Sequence, residues 1–168
     1  MKPFAGMCLV VLLPALAYAD ENTLCTASER VFFSCEIKQG RQVSVCGSAD
    51  LTPTSGYLQY RIGKSAAVPE LVFPADFKHP AGQFDFSNEG FGAKSSTRNL
   101  RFRSGAYVYV IYASTYAFGT NAAGVAVKKG VEPIRYVACQ KNIAEKDFYL
   151  LQNLGIPVIG RDDIVFER

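Results

Sequence analysis

The stretch Asn99–Tyr112, NLRFRSGAYVYVIY, decides how the chain is read. It is dense in aromatic and β-branched residues, which pack well on a pleated surface, and it breaks at Ser104-Gly105, where a reversal can use a residue that tolerates positive φ. Two strands follow, Thr97–Arg103 and Ala106–Ala113, joined by a two-residue turn at Ser104-Gly105. Alternation puts Leu100 and Phe102 on one face and Asn99, Arg101 and Arg103 on the other. Such a turn aligns Phe102 with Tyr107 and Leu100 with Tyr109, and sets Arg101 and Arg103 opposite Val108 and Ala106 on a face shared with Val110.

Other periodic segments build outward from this hairpin. Arg30–Ile37 and Gln42–Cys46 form a first hairpin around Gln39-Gly40-Arg41, and Tyr57–Ile62 alternates cleanly as a strand. Glu70–Phe73 lies between Pro69 and Pro74, which suits a sheet edge. Gly47–Gly56 is a loop. Ala75–Ser96 is the least regular part, with a short strand at Gln83–Phe86 and with Phe77, Phe84, Phe86 and Phe91 expected to plug the core or cover an end of the sheet. After a Ser114–Ala123 loop, Gly124–Lys128 and Pro133–Cys139 make a last hairpin around Lys129-Gly130. From Asn142 the apolar residues fall at 143, 148, 151 and 154, a helical spacing. Asn142 is placed to cap that helix, Glu145 to complete a capping box, and Gly155 with Pro157 to end it. The tail Val158–Arg168 is expected to add a short strand ahead of a solvated end that includes Asp162-Asp163. The expected fold is all-β and mainly antiparallel, a small β-barrel or β-sandwich with one C-terminal helix.

Residues 1–19 read as an export signal. Lys2 is the basic start, Phe4–Leu16 the apolar run and Ala17-Tyr18-Ala19 the small-x-small cleavage site. The run is shorter than the roughly 20 residues that a spanning helix needs. Neither Cys8 nor Cys25 follows the small residue that a lipid anchor requires. Residues 20–168 are then a single exported domain, periplasmic or secreted, expected to be soluble and without membrane insertion once the signal is removed.

Loss of Cys8 with the signal leaves Cys25, Cys35, Cys46 and Cys139, an even set that reads as two disulfides. Three connectivities are open. Phe33, Cys35 and Ile37 share one face of their strand, and matching it to Val43 and Val45 turns Cys35 inward and Cys46 outward. A Cys35–Cys46 bridge is then awkward, which favours Cys25–Cys46 with Cys35–Cys139.

Composition excludes several functions. Removal of Lys2 takes the net charge from +3 to +2, and no basic run of five exists, which argues against nucleic acid. One histidine, four cysteines assigned to disulfides and no acidic cluster argue against a metal site, and no cofactor is implied. His79 with Asp76 has no Gly-x-Ser-x-Gly elbow to complete a triad. Gly90-Phe-Gly-Ala-Lys-Ser95 fails the phosphate-loop spacing at Ala93 and reads as a Gly-rich surface loop able to bind. Glu36, Glu70, Asp85 and Glu132 are available for glycoside chemistry, but nothing in the order of residues brings two together.

Arginine and tyrosine placement is the remaining signal, because these types are enriched at binding hot spots. Tyr57, Arg61, Arg101, Arg103, Ser104 and Gly105 are the candidate partner-binding residues. Leu100, Phe102, Tyr107 and Tyr109 on the other face are read as structural.

Three stretches, SCEIKQGRQVSVCGS (34–48), SGYLQYRIGK (55–64) and LRFRSGAYVYVIY (100–112), resemble a group of small exported bacterial β-proteins of unknown function. Ser104-Gly105-Ala106-Tyr107 and Ser55-Gly56-Tyr57 are similar to the Ser-Gly loop that periplasmic lysozyme inhibitors, small disulfide-bonded β-barrels, insert into the lysozyme cleft. The inhibitor motif follows Ser-Gly-Ala with Lys and Tyr, where this chain has Tyr107 and Val108. The combined expectation is a non-enzymatic exported protein that binds another protein, such as a cell-wall hydrolase or toxin that it neutralises. The alternatives are a small-ligand or glycan-binding module and a hydrolase of unrecognised type. An inhibitor implies protruding loops and no deep pocket; a ligand binder implies an apolar cavity with a few convergent polar groups.

Overall fold

The protein is represented by a computed structural model that describes residues 22–64, 66–90, 92, 94–119, 121–130 and 132–160. The expected signal at 1–19, Phe91, Asp162-Asp163 and the rest of the tail from Arg161 lie outside the described residues.

Among the described residues ten strands form two five-stranded antiparallel sheets. In chain order they are β1 (Glu29–Ile37), β2 (Arg41–Ser48), β3 (Leu58–Gly63), β4 (Leu71–Phe73), β5 (Phe84–Gly90), β6 (Ser96–Ser104), β7 (Tyr107–Thr115), β8 (Ala122–Lys129), β9 (Glu132–Ala138) and β10 (Lys141–Ala144). The first sheet runs β10-β1-β2-β3-β4 and the second β5-β6-β7-β8-β9. Neither closes on itself, so of the two all-β architectures expected the molecule adopts the sandwich. β4 holds the edge position that its flanking prolines imply.

Alternation builds the core. Phe33, Cys35, Val43, Val45, Leu58 and Tyr60 from the first sheet meet Phe84, Phe86, Leu100, Phe102, Ile111 and Val125 from the second in one buried cluster. The central hairpin keeps its expected faces with a register displaced by two residues. Ser104 pairs with Tyr107, Phe102 with Tyr109 and Leu100 with Ile111. Gly105, at φ +58, is the first central residue of the turn and not the second. That is where a hairpin turn with glycine first needs positive φ. A displacement of two preserves every side chain's face, so Arg101 and Arg103 still lie on the outer side, opposite Val110 and Val108.

The expected C-terminal helix does not form. Lys141–Ala144 becomes β10 on the free edge of β1, with Ser34 opposite Ala144 and Glu36 opposite Lys141. Asn142 takes φ +55, and its side-chain amide donates to Asn22 Oδ1 at 2.8 Å rather than capping a helix. The competing force is the corner before it. The Cys139 amide donates to Ala123 O on β8 and the Gln140 amide to Glu36 O on β1, so one residue carries the chain between sheets and delivers it to an unpaired strand edge. What remains of the helical pattern is a 3₁₀ segment, Phe148–Asn153, whose Phe148 and Leu151 are buried. A three-residue spacing satisfies that tighter helix as well as an α-helix. Phe148 contacts Phe33 and Phe86 at ring-centroid distances of 5.4 and 6.0 Å. Of the expected tail strand, Val158 makes a parallel bridge to Phe86.

Both disulfides have the favoured pairing. Cys25–Cys46 pins the N-terminal lead-in over the outer face of the first sheet, and Cys35–Cys139 crosses the core from β1 to the corner after β9. The sequence separations are 21 and 104. In the loop-entropy treatment, removing the long bridge as Cys35→Ala/Cys139→Ala costs about 4–5 kcal/mol and removing the short one about 3. Guanidinium denaturation of the two double variants is expected to rank them in that order; a larger loss from the short bridge would contradict the entropic account.

Candidate functional site

The six residues expected to bind a partner do not form one surface. Tyr57 and Arg61 belong to the outer side of the first sheet, where they are occupied within the protein. Arg61 is 7% exposed. It donates to both carboxylate oxygens of Glu29 at 2.6 and 2.7 Å, to Leu24 O at 3.0 Å and to Gln59 Oε1 at 2.8 Å. The Tyr57 hydroxyl donates to Glu29 at 2.7 Å. Burial draws the Glu29 carboxyl upward, but hydrogen bonds from Arg61, the Thr26 amide and Tyr57, with the Arg61 charge, outweigh it and hold the group below its usual range. Burial, and then the bond to Glu29, pushes the Tyr57 phenol up to about 12. Arg101, on the outer side of the second sheet, binds Asp85 at 2.9 Å. Arg103 is exposed, Ser104 is the last residue of β6, and Gly105-Ala106 forms the tip of the central hairpin.

The other sequence candidates are dispersed. His79 accepts from the Ala81 amide at Nδ1 and contacts Thr52 O through Nε2, while Asp76 faces Lys78 at 3.8 Å. Of the acids considered for glycoside chemistry, Glu36 pairs with Lys141, Glu70 with Arg41 and Asp85 with Arg101. Among the described residues no group of three or more potential metal ligands exists.

A concave feature lies between the sheets, where the sandwich opens at one end. It has a volume of about 590 Å³. Tyr60 and Ile62 of β3 and Leu71 of β4 line one wall; Tyr107 and Tyr109 of β7 and Val125 and Val127 of β8 line the other. Ile134, Arg135 and Val137 of β9 close one side, and Arg41 and Glu70 stand together at the rim.

The opening follows from strand phase. Arg41 is in phase with Val43 and Val45, because it pairs with Ile37 while Cys35 pairs with Val43. Arg135 is in phase with Val137, and Tyr107 with Tyr109 and Ile111. These inner positions carry side chains with polar ends that must stay solvated or paired, so the sheets cannot close over them as they close over Phe and Val. Tyr107 is 39% exposed and Ile134 54%, whereas Tyr60 beneath them is buried.

An aromatic stack runs through the core and ends at the cleft on Tyr109. Phe73 stacks on Phe102 at 4.2 Å and Phe102 on Tyr109 at 4.8 Å, the last pair inclined by only 1°. Tyr60 packs against Phe102 and Tyr109 at 5.0 and 6.2 Å. Burial first, then the neighbouring Tyr109, raises the Tyr60 phenol well above the ordinary tyrosine value. The site therefore offers ring faces, aliphatic surface, phenol hydroxyls and guanidinium groups.

Sequence reasoning placed Tyr107 and Tyr109 correctly on the inner face and read them as structural, and it passed over Arg41 and Arg135. The usable signal was a charged residue in phase with buried neighbours. No such signal marked Glu29 as the partner of Arg61, since the two meet only through the sheet. No protein-family model, curated protein or solved structure matches the chain.

The Glu29–Arg61 pair is testable by stability. Arg61→Ala leaves a buried carboxylate uncompensated, at a cost of about 3–5 kcal/mol. The folded-state pKa of Glu29 is depressed, so the unfolded chain binds the proton more readily. The pair's contribution is complete above the ordinary glutamate value of about 4.3 and is lost as pH falls from there through the folded value. Urea midpoints from pH 7 to pH 3 are expected to fall more steeply for the native chain than for the Arg61→Ala variant.

Proposed function

We propose that the protein is a non-enzymatic binding protein of an oxidising compartment and that it holds a small molecule in the cleft between its sheets. Two disulfides support the compartment, since such bonds persist where thiols are not kept reduced. Among the described residues no helix is long and apolar enough to cross a membrane. The observation that carries the functional reading is the cleft itself. Its volume of about 590 Å³ falls in the range of small-molecule sites, and its lining combines apolar and aromatic side chains with a few polar groups at the rim. Arg41, Arg135 and the phenols suit recognition and orientation, and His79 is engaged elsewhere.

N-phenyl-1-naphthylamine, a neutral aromatic probe that brightens in apolar sites, is expected to bind the protein and to bind more weakly to Ile134→Asp, which places a carboxylate at the cleft's exposed side. Affinity at least about five-fold weaker is the expected readout; unchanged binding in Ile134→Asp would move the probe out of the cleft and remove the support for this reading.

A second reading, neutralisation of a cell-wall hydrolase through the central hairpin tip, draws on the exposure of Arg103, Gly105 and Ala106 next to Tyr107 at the cleft mouth. It requires inhibition of peptidoglycan hydrolysis in a turbidity assay, relieved by Arg103→Glu. Equal lysis rates with and without the protein across a panel of such hydrolases would end it.

A further inference from the structure

We propose that the ligand of the cleft is a small amphiphile, with a ring-bearing apolar body and one anionic group, and that Arg135 is the residue that reads the charge. This rests on the cleft as the binding site and adds the chemical class of what fills it.

Arg135 differs from most of the described arginines. Arg30, Arg41, Arg61 and Arg101 each bind a carboxylate, of Asp147, Glu70, Glu29 and Asp85 respectively. Among the described residues Arg135 has no such partner. It nonetheless occupies an inner-phase position, in one cross-strand row with Val127 and Tyr109. At roughly 4.8 Å per strand its backbone stands about 10 Å from that of Tyr109, the span of a two-ring body.

A second depression of about 420 Å³ adjoins the cleft and shares Arg41, Arg135 and Val137 with it. Its lining adds Lys38 and Gln140 and no carboxylate. Across both linings Glu70 is the one acid among the described residues, and it is already bound by Arg41. The groove thus runs from an apolar bay to a bay with surplus positive charge, and Arg135 stands on the ridge between them. At the apolar end the Phe73–Phe102–Tyr109 stack terminates on a ring that lines the cleft, which favours a planar group in offset stacking. At the other end a guanidinium offers a planar fork of donors that fits carboxylate, sulfonate or phosphate oxygens.

Two probes separate these contributions, because 8-anilinonaphthalene-1-sulfonate is the N-phenyl-1-naphthylamine body with a sulfonate added. Fluorescence titrations of both into the native protein and Arg135→Gln yield the ratio of neutral-probe Kd to anionic-probe Kd. Loss of a charge-assisted contact is expected to lower that ratio about ten-fold or more in Arg135→Gln, with Arg135→Lys retaining part of it and Lys78→Gln, outside both linings, leaving it unchanged. Added salt is expected to weaken the sulfonate and spare the neutral probe. A ratio unmoved by Arg135→Gln, with the neutral probe still bound, would overturn the assignment of charge recognition and leave the cleft reading standing. Absence of neutral-probe binding to the native protein would overturn the cleft reading itself. Arg135 lies on an exposed edge strand, so these variants are expected to fold, and circular dichroism of each verifies it.

Discussion

The bond on which the rest of the structure depends is Cys35–Cys139. Cys35 belongs to the buried core and Cys139 packs against it, and the bond joins β1 of the first sheet to the corner at which the chain leaves the second. That corner sets the relation between the sheets. One residue after Cys139 the backbone is hydrogen-bonded to β1, and β10 then covers an edge that would otherwise be open. The same constraint removes the C-terminal helix that local spacing favours. A chain held within reach of an unpaired strand satisfies its amides there, and the residual apolar pattern folds into a single 3₁₀ segment against Phe33 and Phe86.

With the sheets tied at this corner, the spacing between them beyond it is shaped by side chains. Apolar residues at inner positions draw the layers together, and Arg41, Tyr107 and Arg135 at inner positions hold them apart. The cleft is therefore a product of the same alternation that makes the core, carried past the point where the inner residues stop being apolar. Its polar content is arranged accordingly. Glu70 fixes Arg41 at the rim, and the phenol of Tyr60 stays neutral beneath it.

Much of this was legible from residue order. Residue order located nine of the ten described strands to within a few residues, by alternation in the hairpins and by flanking prolines at β4, and a parity argument applied to Cys35 and Cys46 selected the disulfides that form. The register of the central hairpin was less legible, because Ser104-Gly105 and Gly105-Ala106 both place a glycine in the turn and the two alignments bury identical faces. β10 was not legible at all, since its strand character comes from an edge on β1 more than a hundred residues earlier. The cleft lies between these cases. The phases of Arg41, Arg135 and Tyr107 can be read from neighbouring residues, but that all three converge at one end depends on how the sheets are superposed. Arg61 shows the opposite limit. Its composition suggested a binding surface, yet Glu29 and Leu24 fold over it, and no local pattern announces that cover.

The interleaving of the two disulfides has a consequence for the order of oxidative folding. Cys35 lies between Cys25 and Cys46 in the chain, so the native bonds are not between consecutive cysteines. A chain oxidised from its N-terminus as it emerges would join Cys25 to Cys35 first. The pleat of the first hairpin opposes that pairing, because it turns Cys35 toward the core and Cys46 toward the lead-in that carries Cys25. Native connectivity then requires either that the hairpin form before the first thiol is consumed, or that a thiolate reopen the early bond by exchange, since Cys35 must remain available until residue 139 has arrived.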